Sequence, residues 1–178
     1  TVTDNYGNVS TCTANVEVQD NVAPIALCQD VTVQLDAAGQ ASTTPQDVDN
    51  GSNDACGIAS LQLDVFQFDC SNVGPNPVVL TVTDVNGNQS TCSVNVEVED
   101  NVAPTAVCQD ITIQLDVNGQ ASIVPQDVDG GSFDNCGIAS LSVTPNSFTC
   151  TDVGANTVTL TVTDVNGNSS TCTATATV

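Results

Sequence analysis

The sequence copies itself at a fixed interval of eighty residues, and no other feature constrains the fold as tightly. Thr1-Val-Thr-Asp-Asn-Tyr-Gly-Asn-Val-Ser-Thr-Cys12 returns as Thr81-Val-Thr-Asp-Val-Asn-Gly-Asn-Gln-Ser-Thr-Cys92. It returns again as Thr161-Val-Thr-Asp-Val-Asn-Gly-Asn-Ser-Ser-Thr-Cys172, with no insertion between copies. The phrase Asp20-Asn-Val-Ala-Pro24 likewise recurs as Asp100-Asn-Val-Ala-Pro104. Residues 21–98 match 101–178 at 49 of 78 positions, so whatever one copy folds into, the other does too. The chain parses into residues 1–18, read as the closing strands of one unit, and complete units at 19–98 and 99–178. Starting inside a strand pattern with no basic-then-apolar leader, it is expected to be a window on a longer tandem array.

Each unit has a period of two. Val78, Leu80, Val82 and Asp84 share one face of a strand, with Val79, Thr81 and Thr83 on the other. Asn86-Gly87 supplies a tight hairpin turn, and the return strand points Cys92, Val94, Val96 and Val98 inward. An opening strand through Val31, Val33 and Leu35 breaks at Ala37-Ala38-Gly39. A short strand follows over 40–44, then a third from Ile58 to about Leu63 that is expected to turn back near Asp64 toward Cys70. Ser71–Pro77 reads as a connection rich in proline and glycine. Six or seven short strands with no helical period make this an all-β protein of tandem immunoglobulin-like β-sandwich domains, held by disulfides.

Charge narrows the chemistry. There are 21 acidic residues and no lysine, arginine or histidine, for a formal charge of −21. Such a chain cannot neutralise phosphates, which excludes nucleic acid, and it has nothing to offer an anionic membrane surface. Histidine bases, Schiff-base lysines, catalytic triads and phosphate-binding lysines are impossible for want of the residues. The chain is not therefore disordered, because 40% of it is hydrophobic and the apolar residues recur at strand spacing. No apolar run reaches the ~18 residues of a membrane span.

The nine cysteines, at 12, 28, 56, 70, 92, 108, 136, 150 and 172, fall four to a unit. None has CxxC spacing, which leaves structural disulfides in an oxidising exterior. Four cysteines allow three connectivities. Opening and closing strands of a sandwich lie side by side, which points to Cys28–Cys92 and Cys108–Cys172. A hairpin turning near Asp64 would pair Cys56–Cys70 and Cys136–Cys150. These loops are worth roughly 4 and about 3 kcal/mol respectively. Cys12 is left over, with a partner expected before Thr1; a Cys12–Cys28 bond would break this parse.

The phrases Ala-Pro-Thr-Ala-Val-Cys-Gln-Asp-Ile-Thr (103–112), Phe-Asp-Asn-Cys-Gly (133–137) and Leu-Thr-Val-Thr-Asp-Val-Asn-Gly-Asn-Ser-Ser-Thr-Cys (160–172) carry a family likeness. They resemble HYR-type (hyalin repeat) immunoglobulin-like modules, most of all those strung together in large surface proteins of gliding Bacteroidetes exported by the type 9 system. The resemblance implies an extracellular stalk at the cell surface, without catalytic residues. There are two departures: many such modules carry a cysteine after the first strand, where this chain has Ala41 and Ala121, and cysteines stand instead at 70 and 150, which relocates the second disulfide.

The incoming linker, the loop after the second strand and the final hairpin turn should meet at one pole of a sandwich. That would gather Asp20, Asn21, Asp47, Asp49, Asp54, Asp84 and Asn86 in the first unit. The second offers Asp100, Asn101, Asp127, Asp129, Asp134, Asp164 and Asn166. Carboxylates crowded without a cation repel unless protonated, solvated or metal-bound. Calcium takes six to eight oxygens of this kind. The Asp-Asn-x-Ala-Pro linker also looks like the cadherin interdomain linker, where calcium stiffens the joint. The competing reading is solvated loops in which Asp and Asn make turns and cap amides. An EF-hand does not fit, since the twelfth residue from Asp47 is Ile58. Asp30, Asp36, Asp110 and Asp116 flank the opening strand and are expected at the surface.

Remaining features point nowhere sharper. Asn8, Asn50, Asn88 and Asn168 match the glycosylation pattern, taken here as coincidence. Phe66, Phe68, Phe133 and Phe148 are too few for a sugar-stacking face, and Asp47 with Asp49 lacks the aromatic cleft of a glycosidase. The reading is a non-enzymatic stalk of a surface adhesin or filament, each unit partnered by its neighbours and by calcium at the joints. The alternatives are a module binding polysaccharide or protein through the divergent stretches 62–69 and 142–149, and a spacer of a secreted enzyme. The rod presumes a unit locked by two bridges of its own; one continuous fold across 98–100, or a bridge stitching successive units, would overturn the rod and its proposed role.

Overall fold

The computed structural model describes residues 1–178, and strands dominate it. They are β1 (Val2–Thr3), β2 (Val9–Ser10), β3 (Val31–Gln34), β4 (Gln40–Ser42), β5 (Ile58–Leu63), β6 (Gln67–Asp69), β7 (Gly74–Asp84) and β8 (Gln89–Glu99). The second unit repeats them as β9 (Ile111–Thr112), β10 (Gln120–Ser122), β11 (Ile138–Thr144), β12 (Ser147–Thr149), β13 (Ala155–Asp164) and β14 (Ser169–Thr177). Two single-turn helices, α1 (Pro45–Val48) and α2 (Pro125–Val128), complete the inventory of longer elements.

In the first unit a four-stranded sheet runs β3-β8-β7-β5, faced by the pair β4-β6. β7 and β8 form the expected hairpin, in register from Gly74↔Val98 to Thr83↔Gln89. Opening strand β3 lies parallel beside β8, Val31 opposite Val96. Alternation along β7 drives Val78, Leu80 and Val82 to zero exposure, where they meet Val94, Val96 and Val98 of β8 and Phe68 of β6. Burying such a side chain is worth about 1.5–3 kcal/mol, which is how so small a sandwich closes. The second unit repeats the sheet as β11-β13-β14-β9. Leu160, Val162, Phe148 and Ala176 occupy the corresponding core. Both units are disulfide-bonded immunoglobulin-like sandwiches.

The single-turn helices were not expected from periodicity. Their signal is local: proline at the first helical position, then Asp47 three residues after Thr44, whose Oδ2 accepts from Thr44 N at 2.9 Å. Val48 plugs the core beneath. Ser71–Pro77 is only partly a connection, because β7 begins at Gly74.

The disulfides divide the expectations. Cys28–Cys92 and Cys108–Cys172 form, with Cα atoms 6.2 and 5.8 Å apart. Cys56–Cys70 and Cys136–Cys150 do not. Cys70 instead bridges to Cys136 of the next unit, Cα to Cα 5.3 Å, and Cys12, Cys56 and Cys150 are free and exposed. The cause is topological. β5 pairs with β7 while β6 pairs with β4 in the facing sheet, and the pairings make β5 and β6 run in the same direction. The chain near Asp64 crosses between sheets rather than turning back. Cys56 therefore stays at the pole where the incoming linker arrives, and Cys70 reaches the opposite pole, against the next unit. The premise of a unit locked by two bridges of its own falls with this correction.

Residues 1–18 contribute an exposed two-stranded ladder, Val2↔Ser10 and Thr3↔Val9.

Candidate metal centre at the joint between units

Three carboxylates converge where the units meet. Asp100 comes from the linker, Asp134 from the turn before β11, and Asp164 from the end of β13; their ligand oxygens lie within 4.8 Å of one another. Asp100 is 5% exposed and Asp164 1%. Three oxygens this close lie within reach of one cation at bonds of about 2.4–2.6 Å, the range calcium takes with carboxylates.

Each carboxylate is held differently. Asp164 closes its own hairpin turn: Oδ1 accepts from Asn166 N at 2.9 Å and Asn168 N at 2.8 Å, and Oδ2 from Asn168 Nδ2 at 2.8 Å. Asp100 accepts from Val102 N, from Asn135 Nδ2 at 3.3 Å and from Asn166 Nδ2 at 2.6 Å. Its backbone carbonyl accepts from Asn168 Nδ2 at 3.0 Å, which pins the linker to the turn. Asp134 uses only Oδ2, accepting from Cys136 N at 2.8 Å and Gly137 N at 3.0 Å. Asp134 Oδ1 and the neighbouring Asn135 Oδ1 are buried acceptors without a donor. Buried orphan acceptors are costly, and a chain without a cationic side chain has none to supply. A hard cation that takes oxygen ligands fits this donor set.

Asn135 also crosses the joint. Its Nδ2 donates to Asp36 O of the β3–β4 turn at 3.1 Å. Cys70 Sγ sits 3.4 Å from Asn135 O, and a Cβ on Gly39 would come within 2.7 Å of that sulfur. Gly39, at φ +72°, is thus required both by its turn and by the seat of the bridge.

The first unit repeats the arrangement with a difference. Asp20, Asp54 and Cys56 cluster within the same 4.8 Å, while Asp84 caps its turn through Asn86 N and Asn88 N, both at 2.8 Å. Asn88 Nδ2 donates to Asp20 O at 3.2 Å, as Asn168 does to Asp100. Burial pushes the Asp84 carboxyl up, but hydrogen bonds from Asn88, Asn86 and Gly87 outweigh it and hold it below the usual carboxylate range. The hydrogen bond and charge of Asp20 push the Cys56 thiol up.

Other candidates are placed elsewhere. Asp47 caps α1, where the Thr44 hydroxyl and amide hold it below the usual range. Asp127 caps α2, its Oδ2 accepting from Val124 N at 2.8 Å. Asp49 and Asp129 accept from Ser52 N and Ser132 N, opposite Cys28 and Cys108 in isolated bridges. Asn101 turns toward the first unit, donating to Gln34 Oε1 at 2.6 Å. Asn21 is exposed. Asp36 and Asp116 close the β3–β4 and β9–β10 turns, while Asp30 and Asp110 accept from strand amides of Asn95 and Thr175. Asn135 was missed from sequence; its signal is its position beside Cys136, where the first unit has Ala55.

No family model matches this chain, and no curated protein does. Solved structures do. The chain is similar to protocadherin gamma B7 cadherin domains 1–4, at 13% identity and TM-score 0.38, over 87% of this chain and 50% of that one. It is similar to human mucin-like protocadherin EC1-2, at 15% identity and TM-score 0.41, over 86% and 97%. It is also similar to the titin domains z1z2 in complex with telethonin, at 13% identity and TM-score 0.33, over 90% and 98%. The chain spans half the length of the protocadherin gamma B7 fragment, and no residue here takes a role from these proteins. The class is an immunoglobulin-like β-sandwich protein with three disulfides. Bridges of this number belong to oxidising surroundings outside the cytosol. No helix is long and apolar enough to cross a membrane.

Proposed function

We propose that the chain is part of the stalk of an extracellular cell-surface adhesin or filament, with 19–98 and 99–178 as successive domains and 1–18 closing another. In this reading the units present something at a distance and catalyse nothing; a stalk for gliding adhesion is the narrower form. The observation that carries it is the joint itself, where a disulfide and a set of cross-unit hydrogen bonds replace a free hinge. The rod rests on that tie in place of self-sufficient units. A net charge of −21 with no cation keeps neighbouring rods apart, and no site for a trypsin-type protease exists.

Calcium, in the same proposal, binds at Asp100, Asp134 and Asp164 and supplies the positive charge that the chain lacks. The residues themselves orient the linker: Asp100 and Asp164 are fixed by Asn166 and Asn168, so a filled site would stiffen the path from one unit to the next. Calcium titration of the intact chain tests this, following melting temperature and X-ray scattering length against chelator. A rise in melting temperature and a narrower length distribution are expected. No change in either sinks the calcium joint.

One observation favours a second reading, recognition of a polysaccharide or protein. Phe66 is 51% exposed beside an apolar groove lined by Pro45, Leu61 and Leu63, within the stretch where the units diverge most. Glycan-array binding that Phe66→Ser abolishes would favour it over a pure stalk.

A further inference from the structure

The chain carries a finished joint and both halves of another. In the finished joint, Cys70 follows β6 beside Gly39 and meets Cys136, which follows Asp134 in the turn before β11. Cys150 repeats the first half. It follows β12, its Sγ is 3.8 Å from Gly119 O just as Cys70 Sγ is 3.8 Å from Gly39 O, and Gly119 shares the φ of +72°. A Cβ on Gly119 would lie 2.5 Å from Cys150 Sγ, so glycine again clears the seat. Cys56 repeats the second half: its amide donates to Asp54 Oδ2 at 2.7 Å, as that of Cys136 donates to Asp134 Oδ2 at 2.8 Å. Both thiols are exposed, at opposite poles of the molecule.

We propose that Cys150 and Cys56 are the two ends of further inter-unit bridges, each formed with another unit of this same repeat docked as the second unit docks on the first. The interface is head-to-tail, so it propagates rather than closes. This goes beyond the stalk reading, because it specifies covalent cross-connection of every joint. Oxidation proceeds by exchange with a small-molecule disulfide. One cysteine thiolate attacks it, forming a mixed disulfide and releasing one thiolate. The facing cysteine thiolate attacks the mixed disulfide, the protein S–S bond forms, and the second thiolate leaves. The two protons given up by the cysteines end on the two released thiols, and the oxidant takes the two electrons.

The consequence is a ladder with two covalent rails. One runs from Cys92 to Cys108 through β8 and the linker, 16 residues closed by the internal bridges. The other runs from Cys56 to Cys70 through β5 and β6, 14 residues closed by the inter-unit bridges. Fully drawn out they span at most ~54 and ~48 Å, against ~270 Å for an unbridged eighty-residue unit. Both rails run in the same direction and would tighten at nearly the same extension, so tension is shared.

The test lengthens the chain by a second copy of residues 99–178 placed after Val178, produced in an oxidising compartment. Free thiols are alkylated, the protein is cut after acidic residues, and the bridged peptides are identified by mass spectrometry. In the original chain the label is expected on Cys12, Cys56 and Cys150. In the lengthened chain the label on Cys150 is lost, and a peptide linking it to the copy of Cys136 appears. Full labelling of Cys150 there, or its pairing with any other cysteine, overturns the proposal. Absence of the Cys70–Cys136 peptide overturns it too, since that bridge is the template. An inert calcium titration leaves this pairing untouched, and a free Cys150 leaves the calcium reading untouched.

Discussion

Cys70 and Cys136 stand 66 residues apart in the chain and 5.3 Å apart between Cα atoms, joining the end of one sandwich to the start of the next. Asn135, beside the second of them, ties the same two units by donating to Asp36 O, and it holds the linker by donating to Asp100 Oδ1. The joint is therefore a built interface with covalent, polar and acidic components.

Breaking the bridge should loosen the pair without unfolding either core. Cys136→Ser is expected to cost up to about 4 kcal/mol of stability, the loop-closure value for a bridge of this span. Denaturant unfolding measures the loss, and scattering should show a broader distribution of lengths. An unchanged length distribution would mean that the polar contacts alone fix the angle between units.

Carboxylates at the joint should respond to calcium differently from those that cap turns. Asp134→Asn is expected to abolish the calcium-dependent rise in melting temperature, because it removes charge from the group whose Oδ1 has no donor. Asp47→Asn, at the start of α1, should lower the melting temperature slightly and leave the calcium response intact. Equal loss of response in both variants would contradict the placement of the site.

Acid should destabilise the fold through the turn-capping aspartates. Asp47, Asp49, Asp84, Asp116 and Asp129 are all held below the usual carboxylate range, chiefly by hydrogen bonds from serine, threonine or asparagine and from turn amides. A folded-state value below the unfolded one contributes stability that is present above the unfolded pKa, about 3.9, and lost as pH falls through the folded value. Melting temperature should thus be level from pH 7 to 5 and fall below about pH 4. Asp84→Asn should flatten that fall, as thermal scans across the range would read.

Each core should be sensitive on its own side of the joint. Leu160 has zero exposure, and Leu160→Ala is expected to cost about 2–5 kcal/mol. Val117, fully exposed in the β9–β10 turn, should tolerate Ala within about 0.5 kcal/mol. Hydrogen exchange should place the added opening in the second unit, with the first largely protected.

Much of this is legible in the sequence. Alternation along 78–84 and 92–98 identified the inner faces, Asn86-Gly87 identified the hairpin, and the adjacency of opening and closing strands identified Cys28–Cys92 and Cys108–Cys172. The linker and turn aspartates Asp100, Asp134 and Asp164 were also among the candidates that meet. Asp47, Asp49, Asp127 and Asp129 looked equivalent to them on paper, because a carboxylate that caps a turn and one that faces a shared cavity have the same sequence neighbours.

By itself the sequence determined the eighty-residue period, the β class and the poverty of catalytic groups, because these depend on composition or on short-range alternation; the bridge linking the first and last strands followed from the fold class, whose opening and closing strands lie side by side. The tertiary structure alone decided where Cys56, Cys70, Cys136 and Cys150 go. Whether the chain at Asp64 folds back or crosses to the facing sheet turns on which partner strand β6 finds, and that partner, β4, lies more than twenty residues away. Crossing carries Cys70 to the far pole, and only there does it find the cysteine of the next unit.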